Sequence, residues 1–169
     1  MRVSAKSDYA LRALIEITQR SGDGGTGHVI AAEEISKAQN IPHGFLQGIL
    51  ADLRRAGLVA SQRGQAGGWK MAADPSSVSI ADVMRAVDGP IVSISGTRPE
   101  SVEYNERAVV LQRVWIAARA SLRDVLEQTT IAHLAAAKLP SVVERRSRDE
   151  DAWHARVPGA PAVPHGRPV

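Results

Sequence analysis

The chain has 169 residues, 44% hydrophobic but only 4% aromatic, with a formal charge of +3 and a pI near 9.7. That length holds one domain with appendages or two small domains around a mostly aliphatic core, and the mild basic excess is compatible with nucleic acid without demanding it. The absence of cysteine excludes disulfides, thiolate metal sites and cysteine nucleophiles. No run approaches the ~18 apolar residues of a membrane span and no signal-type segment opens the chain, so a cytoplasmic protein is expected.

Ser4 or Ser7 can cap a first helix running to about Gln19, with Ala10, Ala13, Leu14 and Ile17 on one apolar face. SGDGGTGH is a loop by composition. Val29 and Ile30 then read as a short strand feeding a helix over about 31–39. Asn40 suits the following turn because it tolerates the left-handed conformation.

The stretch 35–71 organises the chain. Leu46, Ile49, Leu50 and Leu53 fall at offsets of three, four and seven, the period of one buried helical face. The opposite face carries His43, Gly44, Gln47, Ala51 and Arg54, with Asp52 the single acid of this helix. Small and amide side chains suit a helix that enters the major groove and hydrogen-bonds base edges. Gly57 ends the helix, where a residue without Cβ is commonly needed. Strand-like segments at 58–62 and 69–73 flank the turn RGQAGG, which holds Arg63 and Gln65. Arg54, Arg55, Arg63 and Lys70 are the charged residues from Leu53 to Ala73, with no acid among them, an electrostatic footprint for phosphate. The plainer alternative is a helical hairpin with a surface β-turn that never touches nucleic acid.

Asp74-Pro75 breaks the second strand. Ser79 followed by Asp82 opens a helix in the manner of a capping box, with Ile80, Val83, Met84 and Val87 on one face and Gly89-Pro90 as the stop. The segment 90–104 reads as a linker loop. A long helix over about 105–128 follows, where Leu111, Trp115, Ala118, Leu122 and Val125 make a heptad-like seam broadened by Val110, Val114 and Leu126. That face is wider than the small domain before it needs, which favours pairing with a second copy. Thr129 or Thr130 starts a short last helix closed by Pro140. The tail 140–169 mixes charge with proline and is expected to be disordered.

MRVSAKSDYALRAL, EEISKAQNIPHGFLQGILADLRRAGLV and SQRGQAGGWKMA together resemble the bacterial winged-helix regulators that include IscR, NsrR and CymR, the Rrf-type family. The resemblance covers roughly residues 1–137. It implies a mainly α fold with a small β-hairpin wing: a winged helix-turn-helix over 1–89, the linker 90–104, and a dimerisation helix with a short terminal helix over 105–139. It also implies a dimeric transcription factor, often a repressor, on double-stranded DNA with a palindromic operator. Family members touch the DNA backbone where Arg2 and Lys6 stand here, and insert an arginine toward the minor groove where Arg63 stands. Many carry an iron–sulfur cluster on three cysteines in the loop before the dimer helix. Here that loop offers Ser93, Ser95, Ser101 and Glu103 but no thiolate, so no cofactor is expected. Asp8, where some relatives supply a carboxylate ligand, then reads as a residue complementing the helix dipole.

The expected DNA contacts are therefore Arg2, Lys6, His43, Gly44, Gln47, Arg54, Arg63, Gln65 and Lys70. The five histidines (His28, His43, His133, His154, His165) show no zinc-like spacing. There is no phosphate loop, no GxSxG and no cluster of catalytic carboxylates, so an enzyme is not expected. GQAGG opens no helix and fails as a dinucleotide fingerprint. Trp69 and Trp115 read as core, with Trp115 the better candidate to line a dimer interface. Two functions stay open: a regulator whose signal is a small molecule or partner protein, and a winged-helix module for protein–protein assembly.

Overall fold

The computed structural model describes residues 3–22, 27–64 and 66–155. Helix α1 (Ala5–Arg20) is capped by Ser4, whose hydroxyl accepts the Ser7 N–H at 2.9 Å. It buries Ala10, Ala13, Leu14 and Ile17 completely. Helix α2 (Ala32–Gln39) ends at Asn40, whose φ of 50° turns the chain into α3 (His43–Arg55). The Ile41 N–H closes that turn on the Ser36 carbonyl at 3.0 Å. Leu46, Ile49, Leu50 and Leu53 of α3 all lie in the core. Burying each of them stabilises the fold by about 1.5–3 kcal/mol over leaving it in water.

Strands β1 (Val59–Gln62) and β2 (Gly68–Met71) pair antiparallel, Val59 opposite Met71 and Gln62 opposite Gly68. The expected strand at Val29 and Ile30 is reduced to one bridge, in which Ile30 exchanges both backbone hydrogen bonds with Trp69 at 2.8 and 2.9 Å. Gly68 is required there, because a Cβ would run into the Ile30 carbonyl. Helix α4 (Ile80–Asp88) begins with the Ser79–Asp82 capping box and stops at Gly89, whose φ is 85°. A loop with a 3₁₀ turn at Pro99–Ser101 leads to α5 (Val110–Leu126), and α6 (Ile131–Ala135) and α7 (Ser141–Ser147) follow. The chain is thus mainly helical, with one small hairpin wing and a long helix toward its C-terminal side.

Three further features differ from the sequence expectation or go beyond it. First, α5 starts at Val110 and not near 105. The Asn105 side chain accepts the N–H groups of Arg107 and Ala108, both at 3.1 Å, and holds a turn there. Second, α6, expected only as a short last helix from Thr129 or Thr130, returns to the winged-helix body. Ile131 is wholly buried in the common core and Leu134 packs against it. Backbone bonds from Ile80 to Thr129, Ile131 to Val78 and Ala132 to Pro75 fix the return at 2.8–3.0 Å. Third, the tail expected to be disordered from 140 carries α7 and a 3₁₀ turn at Glu150–Trp153. Val142 is buried, α7 lies against α5, and Arg146 pairs with Asp124 at 3.2 Å. Within the segment Arg148 also pairs with Glu144 at 3.6 Å, and the Trp153 indole N–H donates to the Ser147 carbonyl at 2.6 Å. Residues 156–169 of that tail lie outside the described residues.

Helix α5 itself buries no residue. Val110 is 63% exposed and Trp115 38%. Trp69 packs against the core as expected, whereas Trp115 does not.

Candidate nucleic-acid interface

The outward face of α3 is open along its length. His43, Gly44, Gln47 and Gly48 are exposed, and Ala51 is half-buried. A Cβ built on Gly44 or Gly48 would meet no atom of the protein within 4 Å. Glycine within a helix costs roughly 0.5–1 kcal/mol relative to alanine. Internal packing therefore does not demand these two glycines, and the shallow groove they leave, about 430 Å³ with Phe45 and Arg55 on its walls, lets another molecule come close to the helix backbone. The sequence reading singled out Gly44 but not Gly48 or Phe45. The i, i+4 spacing of the two glycines was the available signal. Phe45 is 63% exposed and meets the edge of Tyr9 with ring centroids 6.5 Å apart.

Polar groups on this face are held by one another. The Gln47 amide nitrogen is 3.2 Å from His43 Nε2, and the same ring nitrogen is 3.7 Å from a Glu33 carboxylate oxygen. These are exposed contacts that a base edge or phosphate can replace at small cost. Arg54 reaches the wing: its guanidinium donates to the Ser61 hydroxyl at 3.3 Å and lies 5.9 Å from the Trp69 ring centre. Helix and hairpin are thereby coupled through a cation placed between them. Arg63 is exposed at the entrance of the wing tip, and Lys70 is half-buried on β2 opposite Ala60. Neither side chain makes an ion pair among the described residues. Arg2 and Gln65 fall outside the described residues.

Lys6, expected at the DNA backbone, is held within the free protein. Its ammonium donates to the Val87 carbonyl at 2.7 Å and pairs with Asp52 at 2.6 Å. Arg55 also pairs with Asp52, at 2.6 Å. The hydrogen bond from Lys6 is the main reason the Asp52 carboxyl is held below the usual carboxylate range, with Arg55 adding its charge. The one acid on α3 is thus compensated by two cations. The remaining positive groups, Arg54 on the helix and Arg63 and Lys70 on the wing, have no acidic partner among the described residues.

The family model described as an iron-dependent transcriptional regulator, Rrf2, matches residues 3–137. Among curated relatives, the Mycobacterium tuberculosis protein Rv1287, named as a regulator of the HTH type, is 39% identical over 160 residues, covering 95% of this chain and 97% of its own. The regulator CymR of Bacillus subtilis is 32% identical over 135 residues, 80% of this chain and 90% of its own. The solved structure of that CymR, described as the global cysteine regulator, superposes with a TM-score of 0.68 at 28% identity, over 82% of this chain and 98% of the other. The family description raises the question of iron, and the residues present do not fit an iron–sulfur group. Such clusters rest on thiolates, and the sequence contains none. Among the described residues no group of three or more histidine or carboxylate side chains is placed to hold a metal ion. By sequence and by fold, this chain belongs to the Rrf2 family of winged-helix transcriptional regulators, as a cysteine-free member.

Proposed function

We propose that two copies of this chain pair through α5 and act in the cytoplasm as a repressor on a palindromic operator. In this reading α3 enters the major groove, with His43, Gly44 and Gln47 at the base edges. Arg54, Arg63, Gln65 and Lys70 meet the backbone and minor groove from the helix end and the wing. Arg2 and Lys6 add the contacts at the start of α1. The signal is a small molecule or a partner protein and not an iron–sulfur cluster.

The observation that carries the dimer is the bare apolar face of α5. Leu111, Trp115 and Ala118 are exposed, and Leu122 and Val125 only half-buried, over a helix of 17 residues. Contiguous apolar surface of this kind is rare on a monomer and marks an interface. A repeat of four and three residues is what a helix presents to its symmetry mate. Two-fold pairing through α5 makes the reader two-fold, which is why a pseudo-palindrome follows.

Selection of bound fragments from the genome of the source bacterium tests the reading. The expected result is an inverted repeat with half-sites about 10–10.5 base pairs, or a multiple, apart. Recovery of unrelated fragments without a common site would overturn it.

A further inference from the structure

The structure contains a second concave site, away from α3 and the wing, where the end of α4, the loop after it and α5 meet. Its volume is about 440 Å³, within the range of small-molecule pockets. The loop residues 89–92 form an apolar side, and four arginines, Arg85, Arg98, Arg119 and Arg123, stand around the rest together with one acid, Glu100. Three of them are already matched. Arg85 is shared between Asp82 (3.1 Å) and Glu127, Arg123 donates to Glu127 at 2.9 Å, and Arg119 pairs with Glu100. The fourth, Arg98, is exposed and makes no side-chain hydrogen bond or ion pair among the described residues.

The loop is held in place from α5, where the Gln112 amide donates to the carbonyls of Pro99, Glu100 and Val102 at 3.2–3.3 Å. The site is therefore a cavity with an apolar floor and more guanidinium than carboxylate on its walls, where Arg98 lies in the field of Glu100 but is not paired with it. A guanidinium presents a planar fork that matches a carboxylate in bidentate fashion, and the apolar floor favours a ligand with a hydrocarbon body over a bare inorganic anion.

We propose that this cavity binds a small organic monocarboxylate, its carboxylate on Arg98 with Arg119 beside it and its apolar body on residues 89–92. As an effector site, this rests on the small-molecule reading given above. The floor begins at Gly89, one residue beyond the end of α4. Asp88 accepts the Ser7 hydroxyl at 2.6 Å and also that of Ser4, and Val87 accepts Lys6, whose other partner is Asp52 on α3. A ligand seated on 89–92 thus presses on the same short segment that ties α1 and α3 together. Occupancy and operator affinity are then linked, and the linkage is reciprocal.

Calorimetric titration of the full-length protein with phenylacetate, acetate and inorganic phosphate tests the site, on the wild type and on Arg98→Gln and Arg98→Lys. Phenylacetate is expected to bind more tightly than acetate or phosphate. Arg98→Gln should weaken it by about tenfold or more, the loss of a charge-assisted pair. Arg98→Lys should recover only part, because the ammonium keeps the charge but not the fork. No heat from phenylacetate at millimolar concentration, or equal affinity in wild type and Arg98→Gln, overturns the site. Operator binding measured with and without phenylacetate is the separate arm. If the ligand binds through Arg98 and operator affinity stays constant, the site stands and its role as a sensor falls.

Discussion

The ammonium of Lys6 stands 2.6 Å from a carboxylate oxygen of Asp52, tying the first turn of α1 to the body of α3. Family resemblance gives Lys6 a phosphate, but in the free protein a phosphate must compete with this pair and with the Val87 carbonyl. The pair also silences the one acid on the helix offered to DNA. Removing Lys6 exposes that carboxylate to the phosphates, so the loss has two possible sources that a double mutant separates.

Lys6→Met is expected to weaken operator binding, and Asp52→Asn in the same chain to restore only part of it, full recovery being the result that would deny Lys6 a phosphate contact. The loss that persists in the double mutant measures the direct phosphate contact of Lys6. The pH behaviour follows the same pair. Its lowered carboxyl pKa means that its contribution to stability is full above the usual carboxylate range and is lost as pH falls through the lowered value. Both side chains retain solvent access, so that contribution is about 0–1 kcal/mol. Carbon-detected NMR titration should show the Asp52 carboxyl pKa rising in Lys6→Met. An unmoved titration would show that Lys6 is not its main partner.

Ala118 lies at the centre of the bare α5 seam. Ala118→Glu is expected to yield monomers, because a carboxylate desolvated there without a partner costs several kcal/mol by order of magnitude. Operator binding should fall with it, since each half-site alone is weak. Light scattering that still reports a dimer would place the interface elsewhere.

Protein purified without oxygen is expected to carry no iron–sulfur cluster, because its 169 residues include no cysteine. Iron and sulfide in stoichiometric amounts, with a visible absorption band, would contradict this.

Local chemistry makes much of the fold legible in the sequence. Ser79 and Asp82 are spaced for a capping box and form one. The four apolar residues of α3 recur at one helical face and are all buried. Asn40 was suited to a left-handed turn and adopts it. What remained hidden depends on distant contacts. No periodicity reveals that Ile131 returns to the core beside α1, or that Lys6 meets Asp52 across the domain. The five residues before α5 look helical in composition, but the Asn105 side chain competes for their backbone N–H groups. The i, i+4 spacing of Gly44 and Gly48 is legible in the sequence, but that both face open space is visible only in three dimensions.

Binding of the full-length chain to its selected operator and to random duplex, across a series of salt concentrations, tests the central claim most directly. Gln47→Ala and Arg63→Ala are measured beside the wild type. The wild-type affinity should fall steeply, by about 0.9 log units per phosphate contact for each log unit of salt. Gln47→Ala should cost about 1–3 kcal/mol on the operator alone, as the loss of an amide paired with adenine. Arg63→Ala should lose most on operators with A·T-rich flanks, where a narrow minor groove attracts a guanidinium. A flat salt response, with both variants indistinguishable from wild type on every duplex, would remove α3 and the wing from any DNA interface and contradict the account.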